Sequence, residues 1–274
     1  MALWNKLGSR GRVLDRRGAP AAVGGLGIAG VVVVLLMQLL GGSNIDVTDV
    51  LNQIQTTQIQ NQQLDTSQFE GEDNYEVFVS TVLGSNNDMW STVFSQNNKV
   101  YEEPQLVLFR GVTSSACGGA TSEVGPHYCL LDDTIYLDET FFDALKNYLG
   151  GSSGDVAQAY VIAHEVGHHI QNKLGIMEDV QSNGSRQDSI NLELQADCFA
   201  GLWAHSIRDR GVFEQGEIQE AIDAAAAVGD DRIQKKTTGR INPETWTHGS
   251  SEERVRWFNI GFETGQVSAC NTFQ

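Results

Sequence analysis

The chain has 274 residues, 41% of them hydrophobic, enough to fill one sizeable core or two small ones. Its formal net charge is −17; Lys6, Arg10, Arg12, Arg16 and Arg17 against Asp15 make the first twenty residues +4, which leaves −21 for everything after them. So acidic a body repels phosphate backbones and anionic headgroups, which argues against nucleic acid as a partner and favours neutral or cationic peptides.

Residues 1–20 read as a basic cytoplasmic segment. Ala21 to Leu40 (AAVGGLGIAGVVVVLLMQLL) contains Gln38 as its only strongly polar side chain, and about twenty such residues suit the ~30 Å hydrocarbon core as a helix. No A-x-A cleavage site follows in Gly41-Gly42-Ser43-Asn44-Ile45, so the run reads as an uncleaved transmembrane helix rather than a signal peptide. Basic residues before it and none soon after place the N-terminus in the cytoplasm and the remainder outside the cell membrane. Residues 41–73, rich in Gln, Asn, Thr and Asp, read as a polar linker, and 74–274 as the folded domain.

Within that domain Tyr75 to about Asn97 has helical apolar spacing, interrupted at Gly84-Ser85-Asn86-Asn87, which predicts one or two helices. QLVLFR (105–110) and TIYLD (134–138) are β-branched and aromatic-rich and predict strands. Helices are predicted over 155–174, 192–210, 215–228 and 251–264. Strands first and helices later argue an α+β fold.

Cys117, Cys129, Cys198 and Cys270 all follow the apolar run, where an oxidising compartment lets them pair. Three connectivities are possible. Cys117 and Cys129 flank a Gly-rich loop and are natural partners, which leaves Cys198 with Cys270; without a C-x-x-C pair, a cysteine metal site has little support.

In DVAQAYVIAHEVGHHIQNKL, Val156, Tyr160, Ala163, Gly167, Ile170 and Leu174 form one apolar stripe. His164 and His168, four residues apart, lie one turn above each other, so both imidazoles can reach one Zn²⁺. Glu165, about 100° round the helix, flanks the metal and suits the general base for water attack. Gly167 allows a neighbouring element to come close. Glu193 and Asp197 share one face of the next helix: Glu193 can complete a His₂Glu site with the fourth position open, and Asp197 can accept the other ring N–H of a ligating histidine. His248, at a Gly/Ser turn before the last helix, is the candidate stabiliser of the oxyanion, with Arg254 to orient it or bind a peptide carbonyl. His127, His169 and His205 are given no role.

With DRRG, CGGA, GPHYC, HEVGHHIQ, ELQADCFAGLWA, AVGDDRIQ, THGSSEERVRWF and Cys270-Asn271-Thr272-Phe273 in this order, the chain resembles the bacterial neutral zinc metallopeptidase family of YpfJ-like proteins. The resemblance implies a membrane-anchored, zincin-like peptidase with His164, His168 and Glu193 as ligands, Glu165 as catalyst, and all four cysteines in structural pairs. Zincin folds further imply that TIYLD receives a peptide substrate as an added strand. The reading is therefore a zinc-dependent endopeptidase acting on protein or peptide substrates. Its alternative is a catalytically silent, membrane-tethered binding or assembly protein on the same fold, which would have no use for Glu165. A zinc that only staples the fold is a third reading, but structural sites are usually closed by four cysteine-rich ligands.

Overall fold

The structure, a computed structural model, describes residues 2–17, 73–121 and 124–273. A 3-10 turn at Trp4–Lys6 leads into strand β1 (Arg12–Asp15). Helix α1 (Asn74–Gln96) begins at Asp73, whose side chain accepts the Glu76 N–H, and runs unbroken through Gly84-Ser85-Asn86-Asn87. The interruption expected there is overridden by packing: a Cβ on Gly84 would lie 2.6 Å from the Arg10 backbone nitrogen, Ser85 Oγ accepts from Trp203 Nε1 at 2.9 Å, and Asn86 Nδ2 donates to the Val82 carbonyl.

Strands β2 (Gln105–Phe109), β5 (His127–Cys129) and β6 (Thr134–Asp138) complete a four-stranded sheet, while β3 (Val112–Ser115) and β4 (Gly118–Thr121) form a separate hairpin. The order is β1-β2-β6-β5, the first three parallel and β5 antiparallel at the edge. Alternation along β2 and β6 sends Leu106, Leu108, Ile135 and Leu137 into the helical core, while Val107, Phe109 and Tyr136 meet Ala120 of the hairpin on the other face. The expected strands are present. TIYLD, however, is paired on both sides, with β2 and with β5, so it has no free edge for an added strand; that edge belongs to β5.

Helices α2 (Phe141–Ala144), α3 (Asp155–Lys173), α4 (Ile176–Asn183), α5 (Arg186–Arg208), α6 (Ile218–Ala227), α7 (Asp230–Thr238) and α8 (Ser251–Thr264) make the rest, with 3-10 turns at Pro243–Thr245 and Val267–Cys270. The fold is mixed α+β. Helix α5 starts earlier than its apolar pattern because Ser185 and Asp188 form a capping box, and Ser250 with Glu253 starts α8 in the same way. Two close crossings set the frame of the site. A Cβ on Gly167 of α3 would lie 2.9 Å from Ala196 Cα of α5, and a Cβ on Gly201 of α5 or Gly261 of α8 would overlap a carbonyl of the facing helix. Glycine at these points lets α3 and α8 approach α5 to backbone distance, short enough for side chains one or two turns away to meet.

Both expected disulfides are present: Cys117–Cys129 ties the hairpin turn to β5, and Cys198–Cys270 ties the C-terminal 3-10 turn to α5.

The N-terminus departs from expectation. Residues 2–17, read as a cytoplasmic segment apart from the domain, are part of it: β1 pairs with β2, Trp4 packs against Phe78, Trp203 and Phe213, and Trp4 Nε1 and the Ala2 backbone N–H both donate to Asp155 at the start of α3. Arg17 is buried, with ion pairs to Asp15 at 2.7 Å, Glu139 at 2.9 Å and Asp73 at 3.0 Å. These partners are distant in sequence, which is why composition alone showed only a basic stretch. Among the described residues no helix is long and apolar enough to cross a membrane. The span expected at 21–40 lies outside them, as does the linker at 41–73 up to its last residue.

Candidate active site and metal centre

The α3–α5 crossing brings three donors together. His164 and His168 project from successive turns of α3, their ring planes at 88° and their centroids 4.8 Å apart. Glu193 of α5 reaches between them, Oε2 standing 3.3 Å from His164 Nε2 and Oε1 3.5 Å from His168 Nε2. Two donors bound at ~2.0–2.1 Å to a tetrahedral zinc lie about 3.3–3.4 Å apart; each histidine nitrogen stands near that distance from one Glu193 oxygen, and one donor atom from each of the three residues lies within 4.8 Å of the others. His164, His168 and Glu193 are the one group of possible metal donors found among the described residues. Three N/O ligands leave a fourth position open, the pattern of catalytic rather than structural zinc.

The ring nitrogens are correctly assigned for this purpose. His164 Nδ1 lies 2.9 Å from Asp197 Oδ1, and His168 Nδ1 lies 2.9 Å from Gln171 Oε1. Each Nδ1–H donates to an oxygen, which turns Nε2 of each ring towards Glu193; on His164 that nitrogen carries a proton when no metal is bound, and a metal ion would take its place. Burial lowers the basicity of His164, but the hydrogen bond and charge of Asp197, with Glu193, outweigh it and push its pKa up to about 10. Burial likewise opposes ionisation of Glu193, and the nearby His168, His164 and His248 hold it well below the usual carboxylate range. A cation is favoured where these groups converge.

Asp197, the expected support, is fully buried. Arg254 of α8 holds it with two bonds, Nε to Oδ2 at 2.8 Å and Nη2 to Oδ1 at 3.0 Å, while Tyr160 donates to Oδ1 at 2.5 Å. Burial alone would raise its pKa, but the Arg254 charge keeps it lowered. Arg254 therefore braces the partner of a candidate metal donor; 3% exposed, its guanidinium bonds Asp197 and Tyr160 and lies 3.9 Å from Glu193 Oε2, and among the described residues it makes no bond to His248, which the sequence reading had it orient.

A cavity of about 590 Å³ opens over the three donors. Glu165 and His248 line it, with Gly125 to Tyr128 leading into β5 and an apolar wall that includes Phe141, Val161, Leu192 and Ile233. His248 sits on a turn whose N–H groups at Thr247, His248 and Gly249 all donate to Asp230 Oδ2 at 2.6 to 3.0 Å, and its Nδ1 lies 3.5 Å from Asp230 Oδ1. Burial lowers its basicity, yet Asp230 and the Glu193 charge raise the His248 pKa above its ordinary value.

Sequence reasoning overlooked Tyr160, Gln171 and Asp230. Tyr160 was read only as a stripe residue, and Gln171, three positions beyond His168, stood in the quoted motif without a role. The remaining histidines have partners elsewhere: His169, buried, bonds the Glu102 carbonyl and Tyr128, and desolvation takes its pKa down to about 4. His205 bonds the Phe262 carbonyl, and His127 stacks on Tyr136 at the cavity rim.

Against known proteins, residues 2–273 match the model of the family described as "Putative neutral zinc metallopeptidase". The chain belongs to this family. It is similar to the uncharacterized protein YpfJ of Escherichia coli K12, 40% identical over 286 residues and 98% of each chain. It is also similar to the uncharacterized protein Rv2575 of Mycobacterium tuberculosis H37Rv, 48% identical over 185 residues and 63% of each chain. No solved structure matches. The match to the zinc metallopeptidase family runs from residue 2, so it takes in the docked N-terminal strand as well as the donor helices.

Proposed function

We propose that the protein is a membrane-tethered zinc endopeptidase of zincin type that hydrolyses peptide bonds in protein or peptide substrates. The observation that carries this reading is the open His₂Glu arrangement, both Nε2 atoms turned towards Glu193 by Nδ1 partners under a substrate-sized cavity. His164, His168 and Glu193 would hold a zinc ion, which would supply Lewis acidity for peptide hydrolysis. Glu165, next to a ligand and facing the same cavity, takes the proton of the attacking water and returns it to the leaving amine. His248, kept basic by Asp230, donates to the oxygen that becomes negative. The unpaired edge of β5 carries the substrate backbone, since β6 is paired on both sides.

Residues 21–40 act as the tether in this reading, on the oxidising side of the membrane, where both cysteine pairs form. Because β1 pairs with β2 and Arg17 with Asp73, residues 2–17 stand on the same side as the domain in this reading, so the apolar run would anchor from that side and not as the single crossing with a cytoplasmic N-terminus that the sequence suggested. A protease added from outside to spheroplasts should reach a tag before β1 as readily as one on the domain; a protected tag would return residues 1–20 to the cytoplasm. The enzymatic reading is tested by metal analysis and cleavage together. Wild-type protein should carry about one zinc and cut a generic protein substrate, and Glu165→Gln should keep the zinc and lose the cleavage. Equal cleavage by both would remove Glu165 from the mechanism.

A further inference from the structure

Outside the donors themselves, one buried chain of amides reaches the site from the far side of α5. Gln171, fully buried, accepts from His168 Nδ1 through Oε1, and its Nε2 donates to the Leu192 carbonyl at 2.7 Å and to Gln195 Oε1 at 3.1 Å. Gln195 Nε2 in turn donates to the carbonyl of Cys270 at 3.0 Å. Cys270 is the cysteine that closes onto Cys198, the residue after Asp197.

The direction of this chain follows from what each atom can do. A backbone carbonyl only accepts, so the Cys270 oxygen turns the NH₂ end of Gln195 towards itself and leaves Gln195 Oε1 facing Gln171. The Leu192 carbonyl and Gln195 Oε1 together engage both hydrogens of Gln171 Nε2, so Oε1 of Gln171 must face His168. Only that orientation accepts a proton on His168 Nδ1 and leaves Nε2 with a lone pair for a metal. With the amide reversed, Gln171 would donate to Nδ1 and drive the proton onto Nε2, where it would occupy the metal's place. The far anchor, the Cys270 carbonyl, is held against α5 by the disulfide and by Thr272 Oγ1 on the Asn191 carbonyl at 2.7 Å.

We propose that Gln195 and the Cys198–Cys270 disulfide are positioning elements of the metal site, setting the orientation of Gln171 and through it the metal-facing nitrogen of His168, so that the site reaches full zinc affinity only with the disulfide formed. The inference rests on His168 being a ligand. It couples the site to compartment: a dithiol reductant, itself oxidised to a disulfide, delivers two electrons and two protons that convert Cys198 and Cys270 to thiols, and the tail's hold on Gln195 relaxes.

The test is zinc affinity by competition with a chromophoric chelator on the full chain, with unfolding of the metal-free protein and the visible spectrum of the cobalt(II) form as companion readouts. The variants are His164→Ala, Gln171→Leu, Gln195→Leu, the pair Cys198→Ala with Cys270→Ala, and a combined variant that joins Gln195→Leu to that cysteine pair. Gln171→Leu should lose about 10- to 100-fold in affinity and Gln195→Leu about tenfold, the smaller figure because Leu192 still holds Gln171. The cobalt bands should shift in both. The cysteine pair should match Gln195→Leu, and the combined variant should be no worse than either, since all act through one chain. Wild-type affinity and spectrum in Gln195→Leu would overturn the proposal, as would losses that multiply in the combined variant. Should the cysteine pair fail to fold, Gln195→Leu decides alone. An unaffected His164→Ala would instead strike the metal site itself and leave a different signature from failure of the relay.

Discussion

The donor end of the α3–α5 crossing and the N-terminal segment 2–17 both carry buried charge, yet one announced itself in sequence and the other did not. At the donor end, His164, Glu165 and His168 sit on two successive turns of one helix, and Glu193 and Asp197 are four apart on another. Helical periodicity alone places such residues on common faces. At the N-terminal end, Arg17 pairs with Asp15, Asp73 and Glu139, and Asp155 receives the Ala2 and Trp4 N–H groups, so nearly every partner is remote in the chain. A basic stretch before an apolar run imitates a cytoplasmic flank unless those partners are known. Charge that clusters in sequence is legible; charge that clusters only in space is not.

The largest effect expected at the donor end is in Glu165→Gln, which should lower kcat by about 10² to 10⁴ at unchanged zinc content, the range of a lost general base. An equal loss of zinc would make Glu165 a ligand and blur the division between ligands and base.

Substitutions at Asp197 and Arg17 sharpen the contrast between the two regions. Asp197→Ala leaves the buried Arg254 with only the longer ion pair to Glu193 at 3.9 Å and should destabilise the domain by about 3–5 kcal/mol while also weakening zinc binding. Arg17→Leu strands carboxylates that are partly solvated, so about 2–4 kcal/mol is expected by denaturant unfolding, with zinc affinity of the folded protein unchanged. If Arg17→Leu left stability untouched, residues 2–17 would not be part of the folded unit.

A smaller effect is expected at His248. His248→Ala should reduce kcat about 10²- to 10³-fold with KM little altered, the magnitude of a lost oxyanion donor. On the proposed mechanism the donor is the protonated ring, whose pKa is raised in the folded protein, so activity should be present below that raised value and fall as pH rises through it. Asp230→Asn removes the first contribution that raises it and should move this basic limb of the kcat profile to lower pH. An unmoved limb would assign it to another group.

Much of the rest was readable only in part. The strands QLVLFR and TIYLD and the helix SEERVRWFNIGFET lie where apolar patterns put them. Pairing order does not follow from pattern: the resemblance to zincins makes TIYLD a substrate edge, and β5 lies outside it. Gly84-Ser85-Asn86-Asn87 looked like a break because local propensity says so, and long-range packing against Arg10 and Trp203 reverses it. Two signals were present and unused. Isolated helical glycines at Gly201 and Gly261 mark the α5–α8 crossing that delivers Arg254 to Asp197, and Gln171, three residues after His168, faces its Nδ1 by helical geometry.

The central claim, an open zinc site made by His164, His168 and Glu193, is tested most directly by zinc K-edge X-ray absorption of the loaded protein. It should show only nitrogen and oxygen neighbours at about 2.0–2.1 Å, with outer-shell scattering from two imidazoles that falls to one in His168→Ala. Sulfur neighbours at about 2.3 Å, or a spectrum unchanged by that substitution, would contradict it.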